Sequence, residues 1–336
     1  MKLSARIEAF QQLGQVVKNL SPAELQNLYD QSVRENAWFT YANISMALHA
    51  IGQSLSPEQL TRWTSSYMLE PSKIRNVGVA MAGNIPLVGF HDFLCVLIAG
   101  HRIVIKPSSQ DTALLHYISG RLITIESGFK DLISFEERLN GVDAVIATGS
   151  NNTARYFEYY FRAIPHIIRK NRSSCAILTG EESSDEMTAL GTDIFSYFGL
   201  GCRNVSKLFV PAGFNFEPLI FSWEKFRGVF DHSKYAHNYN YQKTILQMNR
   251  IPVFDNGFVL LREDEALVSP ISILNYEFYH EPSDLHQKIA RQQDKIQCIA
   301  SINGRFPGSI PFGKAQFPEV SDYADNVDTL KFLQEL

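Results

Sequence analysis

The sequence predicts an α/β protein: two α/β units behind an N-terminal helical segment. Three observations predict it. Residues 1 to about 70 carry apolar positions at helical spacing. From Pro71 onward, short strand-like runs alternate with helical patterns, which argues for parallel sheets covered by helices. The chain has 336 residues, 45% apolar and 20% charged, enough for two ordinary globular cores.

The elements follow in order. Lys2–Leu20 reads as an amphipathic helix. Ser21-Pro22-Ala23-Glu24 is a capping box with proline at the first helical position, and Ser56-Pro57-Glu58-Gln59 repeats the signal with glutamine. Strands are predicted at Asn76–Met81, His101–Ile105, Leu132–Phe135, Ala144–Ala147, His166–Ile168 and Cys175–Leu178. Helices are predicted near Val88–Ile98, Thr112–Ile125 and Asn152–Phe161. A helix near Asp185–Phe198 leads to Cys202, and strands resume at Leu208–Val210, Phe258–Leu261, Ile271–Leu274 and Cys298–Ser301. The expected organisation is a helical segment (1–70), a first α/β domain (71–180), a second carrying Cys202 (181–303), and a C-terminal segment (304–336) that wraps back on the body or on a partner subunit.

Composition excludes several function classes. A net charge of −4 gives no electrostatic case for nucleic acid. Phe93–Gly100, among the longest apolar runs, is far too short to span a bilayer. The first residues lack the apolar stretch of a signal peptide, so a cytoplasmic protein is expected. Four unevenly spaced cysteines with no CxxC pair suggest neither a disulfide framework nor a zinc site. His232 and His237 are five apart, not three or four, so no metal is expected; the 231–243 stretch reads as a polar surface or substrate-rim loop.

Cys202 is the residue that points to chemistry. Two glycines precede it in Phe198-Gly199-Leu200-Gly201-Cys202-Arg203-Asn204, and a strand-like run follows. A thiol on such a turn can be reached by a substrate carbonyl. Cys95, Cys175 and Cys298 lie inside apolar runs, the usual place of a small buried hydrophobe. There is no GxGxxG, but three strand ends carry polar groups: Gly83-Asn84-Ile85-Pro86, Lys106-Pro107-Ser108-Ser109 and Thr148-Gly149-Ser150. Ligands bind at that edge of a parallel sheet, and Gly-Ser at a helix start can seat a pyrophosphate. Each has a plainer reading. Asn84 can be a turn residue, Lys106 a solvent-facing strand end, and Ser150 a helix cap alone. Their order, with the later cysteine, is the specific signal.

In that order the motifs resemble those of the aldehyde dehydrogenase superfamily, over about residues 70 to 305. The resemblance implies that Cys202 is the nucleophile and that Asn84 donates its amide to the oxyanion beside the Cys202 N–H. It implies that Lys106, with Ser108 and Ser109 beside it, binds the adenosine ribose, and that Gly149 and Ser150 border the cofactor. Glu265, ahead of Ser269-Pro270, falls near the position of a family glutamate at the nicotinamide ribose.

Two departures refine the expectation. Hydrolytic members carry a glutamate where this chain has Ile168, and isoleucine cannot activate water. Glu181 and Glu182 fall outside that register. NAD-preferring members commonly carry glutamate where Ser109 stands; serine removes the repulsion toward a 2′-phosphate, so NADPH is expected, with NADH tolerated. These features look most like acyl-CoA reductases related to the fatty-acid reductase subunit of bacterial bioluminescence systems. The implied reaction takes an acyl-CoA to an aldehyde, in a homo-oligomer or in a complex with other acyl-group enzymes. Reduction of an acyl phosphate, as in glutamyl-phosphate reductases, is the alternative within the same chemistry. A non-catalytic nucleotide-binding subunit of a lipid-synthesis complex is the alternative outside it.

Overall fold

The computed structural model describes residues 1–336. The chain forms two compact units, Met1–Asn171 with Pro318–Leu336, and Arg172–Phe317.

The first unit opens with α1 (Leu3–Lys18), α2 (Pro22–Glu35), α3 (Tyr41–Ser54) and α4 (Pro57–Thr64). Both serine signals act as caps: Ser21 Oγ accepts from Glu24 N–H at 3.2 Å, and Ser56 Oγ from Gln59 N–H at 3.3 Å. The alternating part follows as β1 (Asn76–Ala80), α5 (Phe90–Ile98), β2 (Arg102–Lys106), α6 (Ala113–Ile125), β3 (Ile133–Phe135), β4 (Ala144–Thr148), α7 (Asn151–Phe161) and β5 (His166–Arg169). The strands are parallel, in the order β3-β2-β1-β4-β5. α5 is buried at every position but His91, Asp92 included, because α1 and its neighbours cover the side that the sheet does not. The N-terminal helices therefore share the core of the first unit. Phe10 meets Phe93 of α5 and Phe129 edge-on at 6.2 and 5.7 Å between ring centroids.

β3 connects to β4 without a helix. The connection lies directly on the sheet over Gly78, where a Cβ would stand 3.2 Å from Leu139 and Val142. The strand order reverses between β1 and β4, so the crevice at their carboxyl ends is the switch point where open α/β sheets bind ligands.

The second unit contains β6 (Ser173–Ile177), α8 (Ser184–Phe195), β7 (Val205–Pro211), α9 (Glu217–Ser222), α10 (Ser233–Met248), β8 (Val253–Asp255), β9 (Leu260–Glu263), β10 (Ile273–Tyr279), α11 (Pro282–Ala290), β11 (Ile296–Ser301) and β12 (Ile310–Pro311). Its sheet runs β12-β11-β6-β7-β10-β9-β8, parallel except that β8 lies antiparallel to β9. After β12 the chain returns to the first unit, where α12 (Thr329–Gln334) buries Leu330 and Leu333. There His101 Nε2 lies 2.9 Å from the Leu333 carbonyl, and Trp63 Nε1 donates to the Tyr323 hydroxyl at 2.7 Å.

Three expectations change. The strand at 173–177 pairs with β7 and β11, so the boundary falls after Asn171, upstream of the expected Gly180. The 304–336 segment is divided, because only residues from Pro318 onward pack on the first unit. The 231–243 stretch is not a loop. It has no proline or glycine, and Tyr235, Tyr239 and Leu246 fall on one buried side of α10.

Candidate active site

The turn that carries Cys202 begins where α8 is made to stop. The helix starts on a capping box, Ser183 with Glu186, and packs Met187, Leu190 and Ile194 into the second core. It ends at Phe195, short of the expected Phe198, because Tyr197, Phe198 and Gly199 are all left-handed (φ 51°, 59° and 77°). Phe198 packs on His232 and Tyr235 at 4.5 and 6.0 Å between centroids, so the α10 start backs the turn. β7 then begins at Val205, held by β6 and β10. Gly201 to Asn204 bridge the gap in a turn closed by Asn204 N–H donating to the Gly201 carbonyl at 3.1 Å. Ser174 Oγ of β6 donates to the Cys202 carbonyl at 3.0 Å.

Cys202 is exposed, as its glycine context suggests. Cys95 and Cys175 are fully buried, and burial pushes both thiols up, away from thiolate. Cys298 is half-buried, with its sulfur 3.1 Å from Ser174 Oγ. Glu265 is exposed on the loop after β9, and its carbonyl accepts from Gln292 Nε2 at 3.3 Å. That loop leans on β7, where Ser206 Oγ donates to the Leu267 carbonyl at 2.7 Å.

In the first unit, Asn84, Lys106, Ser108, Ser109, Gly149 and Ser150 all follow or end strands at one carboxyl edge. The Asn84 turn is held from two sides. Asn36 Nδ2, just past α2, donates to the Gly83 carbonyl at 2.8 Å, and Leu87 N–H donates to Asp111 Oδ2 at 2.6 Å. A Cβ on Gly83 would stand 2.6 Å from Ser108 Oγ, so only glycine lets the β1 and β2 loops meet. Lys106 is exposed at the end of β2, and its carbonyl accepts from Met81 N–H at 3.1 Å. Ser109 is exposed. Ser108 is a turn residue whose Oγ accepts from Gln110 N–H at 3.2 Å. Ser150 caps α7, accepting from Thr153 N–H at 3.2 Å. Gly149 also needs to be glycine: a Cβ there would meet Thr153 Cβ at 2.9 Å. A lysine, two hydroxyl-bearing loops and a helix N-terminus at a switch point suit a dinucleotide with its pyrophosphate on α7.

Known structures agree with this architecture. An NAD-dependent aldehyde dehydrogenase from Sinorhizobium meliloti superposes with a TM-score of 0.68 at 11% identity, over 92% of this chain and 72% of that one. An NAD-dependent benzaldehyde dehydrogenase from Corynebacterium glutamicum gives 0.64 at 12%, over 90% and 76%. An aldehyde dehydrogenase from Bacillus cereus in complex with NAD+ gives 0.63 at 14%, over 90% and 72%. The chain has the aldehyde dehydrogenase fold. No protein-family model and no curated protein sequence matches it.

The end of β5 carries no carboxylate. Ile168 pairs with Ala147, and Arg169 is buried against Asp92 and the Thr329 hydroxyl. The nearby Glu182 caps its own turn, accepting from Thr179 N–H at 2.6 Å and Gly180 N–H at 3.0 Å.

Sequence reading missed the residues that hold these loops: Asn36, Asp111, Asp193 and Asn204. It also missed Glu136, which leaves β3 beside β2 and donates its N–H to the Ile105 carbonyl at 2.8 Å, next to Lys106. Burial pushes the carboxyls of Asp111 and Asp193 up to about 7.

Proposed function

We propose that the chain is an NADPH-dependent acyl-CoA reductase that makes an aldehyde. The observation that carries the reading is an exposed thiol on a braced turn, with no carboxylate at the strand end where a hydrolytic base would stand. Cys202 attacks the acyl thioester carbonyl, the C–S bond to CoA breaks, and CoA leaves as its thiol. The Asn84 amide and the Cys202 N–H stabilise the tetrahedral oxyanion. NADPH, when bound, would supply a hydride to the acyl carbon. The resulting thiohemiacetal on Cys202 collapses to the aldehyde and frees the thiol. Lys106, Ser108 and Ser109 would hold the adenosine ribose, Gly149 and Ser150 would border the pyrophosphate, and Glu265 would lie by the nicotinamide ribose. Ile168 leaves water unactivated, so the thioacyl enzyme waits for hydride.

Incubation with acyl-CoAs of graded chain length tests the reading. A mass increase equal to the acyl group, mapped to Cys202 and absent in Cys202→Ala, is expected. Full aldehyde formation by Cys202→Ala would reject it.

A further inference from the structure

Cys202 stands on a turn with a conformational cost. Left-handed backbone at Tyr197 and Phe198 is unfavourable for residues with a Cβ and persists only where the surroundings enforce it. One side chain ties the two ends of this stretch together. Asn204 is 2% exposed. Its Oδ1 accepts at 2.8 Å from the N–H of Gly201, the residue directly before the nucleophile. Its Nδ2 donates to the carbonyls of Ser196 at 2.8 Å and Asp193 at 3.0 Å, with Ile194 at 3.4 Å. The amide thus spends its acceptor on the thiol's own turn and its donors on the last carbonyls around the α8 terminus.

Asp193 braces the same region. Its buried carboxylate accepts from Gly313 N–H at 2.7 Å and Ala315 N–H at 3.0 Å, and the Ala315 carbonyl accepts from Arg203 Nε at 2.6 Å. The residue after Cys202 and the 313–315 segment are therefore latched to one helix end.

We propose that Asn204 is a positioning residue for Cys202. It fixes the direction of the thiol and of the Cys202 N–H without touching the acyl group. The inference rests on the reading of Cys202 as the nucleophile. Misplacement of a reacting group by about 1 Å costs on the order of a hundredfold in rate. Asn204→Ala is therefore expected to slow thioacylation of Cys202 about a hundredfold, with NADPH affinity and acyl-CoA KM within about twofold of wild type.

Asn204→Asp gives a second readout. A protonated carboxyl can accept from Gly201 and donate to a carbonyl; an ionised one faces carbonyl oxygens. Its thioacylation rate relative to wild type is expected to be highest at acid pH and to fall as pH rises. A purely structural role predicts a constant ratio.

The test is rapid-quench mass spectrometry of the Cys202 adduct, with near-UV circular dichroism as the fold check. A folded Asn204→Ala variant that acylates at the wild-type rate overturns the inference. If that variant does not fold, Asn204→Asp decides: a falling ratio supports positioning and a flat ratio overturns it. Absence of any adduct on wild-type Cys202, with every acyl-CoA tried, rejects the nucleophile reading itself.

Discussion

Each side chain at the sheet edge makes a separate prediction at the residue scale. On the proposed reading Ser109 presents no charge to repel a 2′-phosphate, so Ser109→Glu is expected to weaken NADPH relative to NADH by about tenfold or more, or 1.4 kcal/mol. Glu136 adds a carboxylate on the neighbouring strand end, and Glu136→Gln is expected to tighten NADPH. Titration calorimetry with both cofactors checks the pair; unchanged ratios would remove the Ser109 argument. Ile168→Glu supplies the missing base. It is expected to raise hydrolysis of the Cys202 thioester about tenfold, well below the 10²–10⁴ of an evolved base, because Arg169 and Asp92 are not arranged around it. Release of free carboxylic acid without NADPH measures this. At this scale the exposed thiol and the polar strand ends were legible, because both are local patterns. The residues that hold them were not. Asn36 and Asp111 act on peptides that only the tertiary fold brings near, and Asn204 on peptides that the left-handed turn folds back beside it; no spacing marks any of them.

Elements read best where they contain their own signals. The capping serines 21 and 56 and the alternating strands of the first sheet are local, and the structure has them where expected. β6 went to the wrong sheet because strand partners are not written in a strand. α10 was mistaken for a loop because its polar residues obscure a buried stripe of tyrosines and leucine. The pH dependence comes from two buried carboxyls that hold loops, Asp111 ahead of α6 and Asp193 near the end of α8. Asp111 and Asp193 have folded values near 7, above an unfolded value of about 3.9. The folded state then binds the extra proton, so its advantage is full below about pH 4 and lost as pH rises through about 7. Asp111→Asn and Asp193→Asn are each expected to flatten the fall in stability across that window, relative to wild type. Urea unfolding as a function of pH measures it, and parallel wild-type and variant curves would show that the buried carboxyls do not titrate there.

Across the whole molecule, the terminal segments complete the first unit. The N-terminal helices cover α5, and α12 inserts Leu330 and Leu333 into the same core. Leu330→Ala is expected to cost about 2–5 kcal/mol of stability, as for other fully buried leucines, and calorimetric unfolding reads it directly. The aldehyde dehydrogenase fold was legible from the ordered motifs before any contact was known, since strand-end chemistry and βα alternation together restrict the architecture. On the proposed reading, what that fold does in this chain turns on whether an acyl group carried by Cys202 meets hydride or water. The most direct test is single turnover. Enzyme loaded with acyl-CoA in the absence of cofactor is isolated, then mixed with NADPH or with buffer alone. The account predicts an acyl-Cys202 species that persists in buffer and is discharged as aldehyde by NADPH, one NADPH consumed per aldehyde. An adduct that hydrolyses in buffer to the acid as fast as NADPH discharges it would contradict that account.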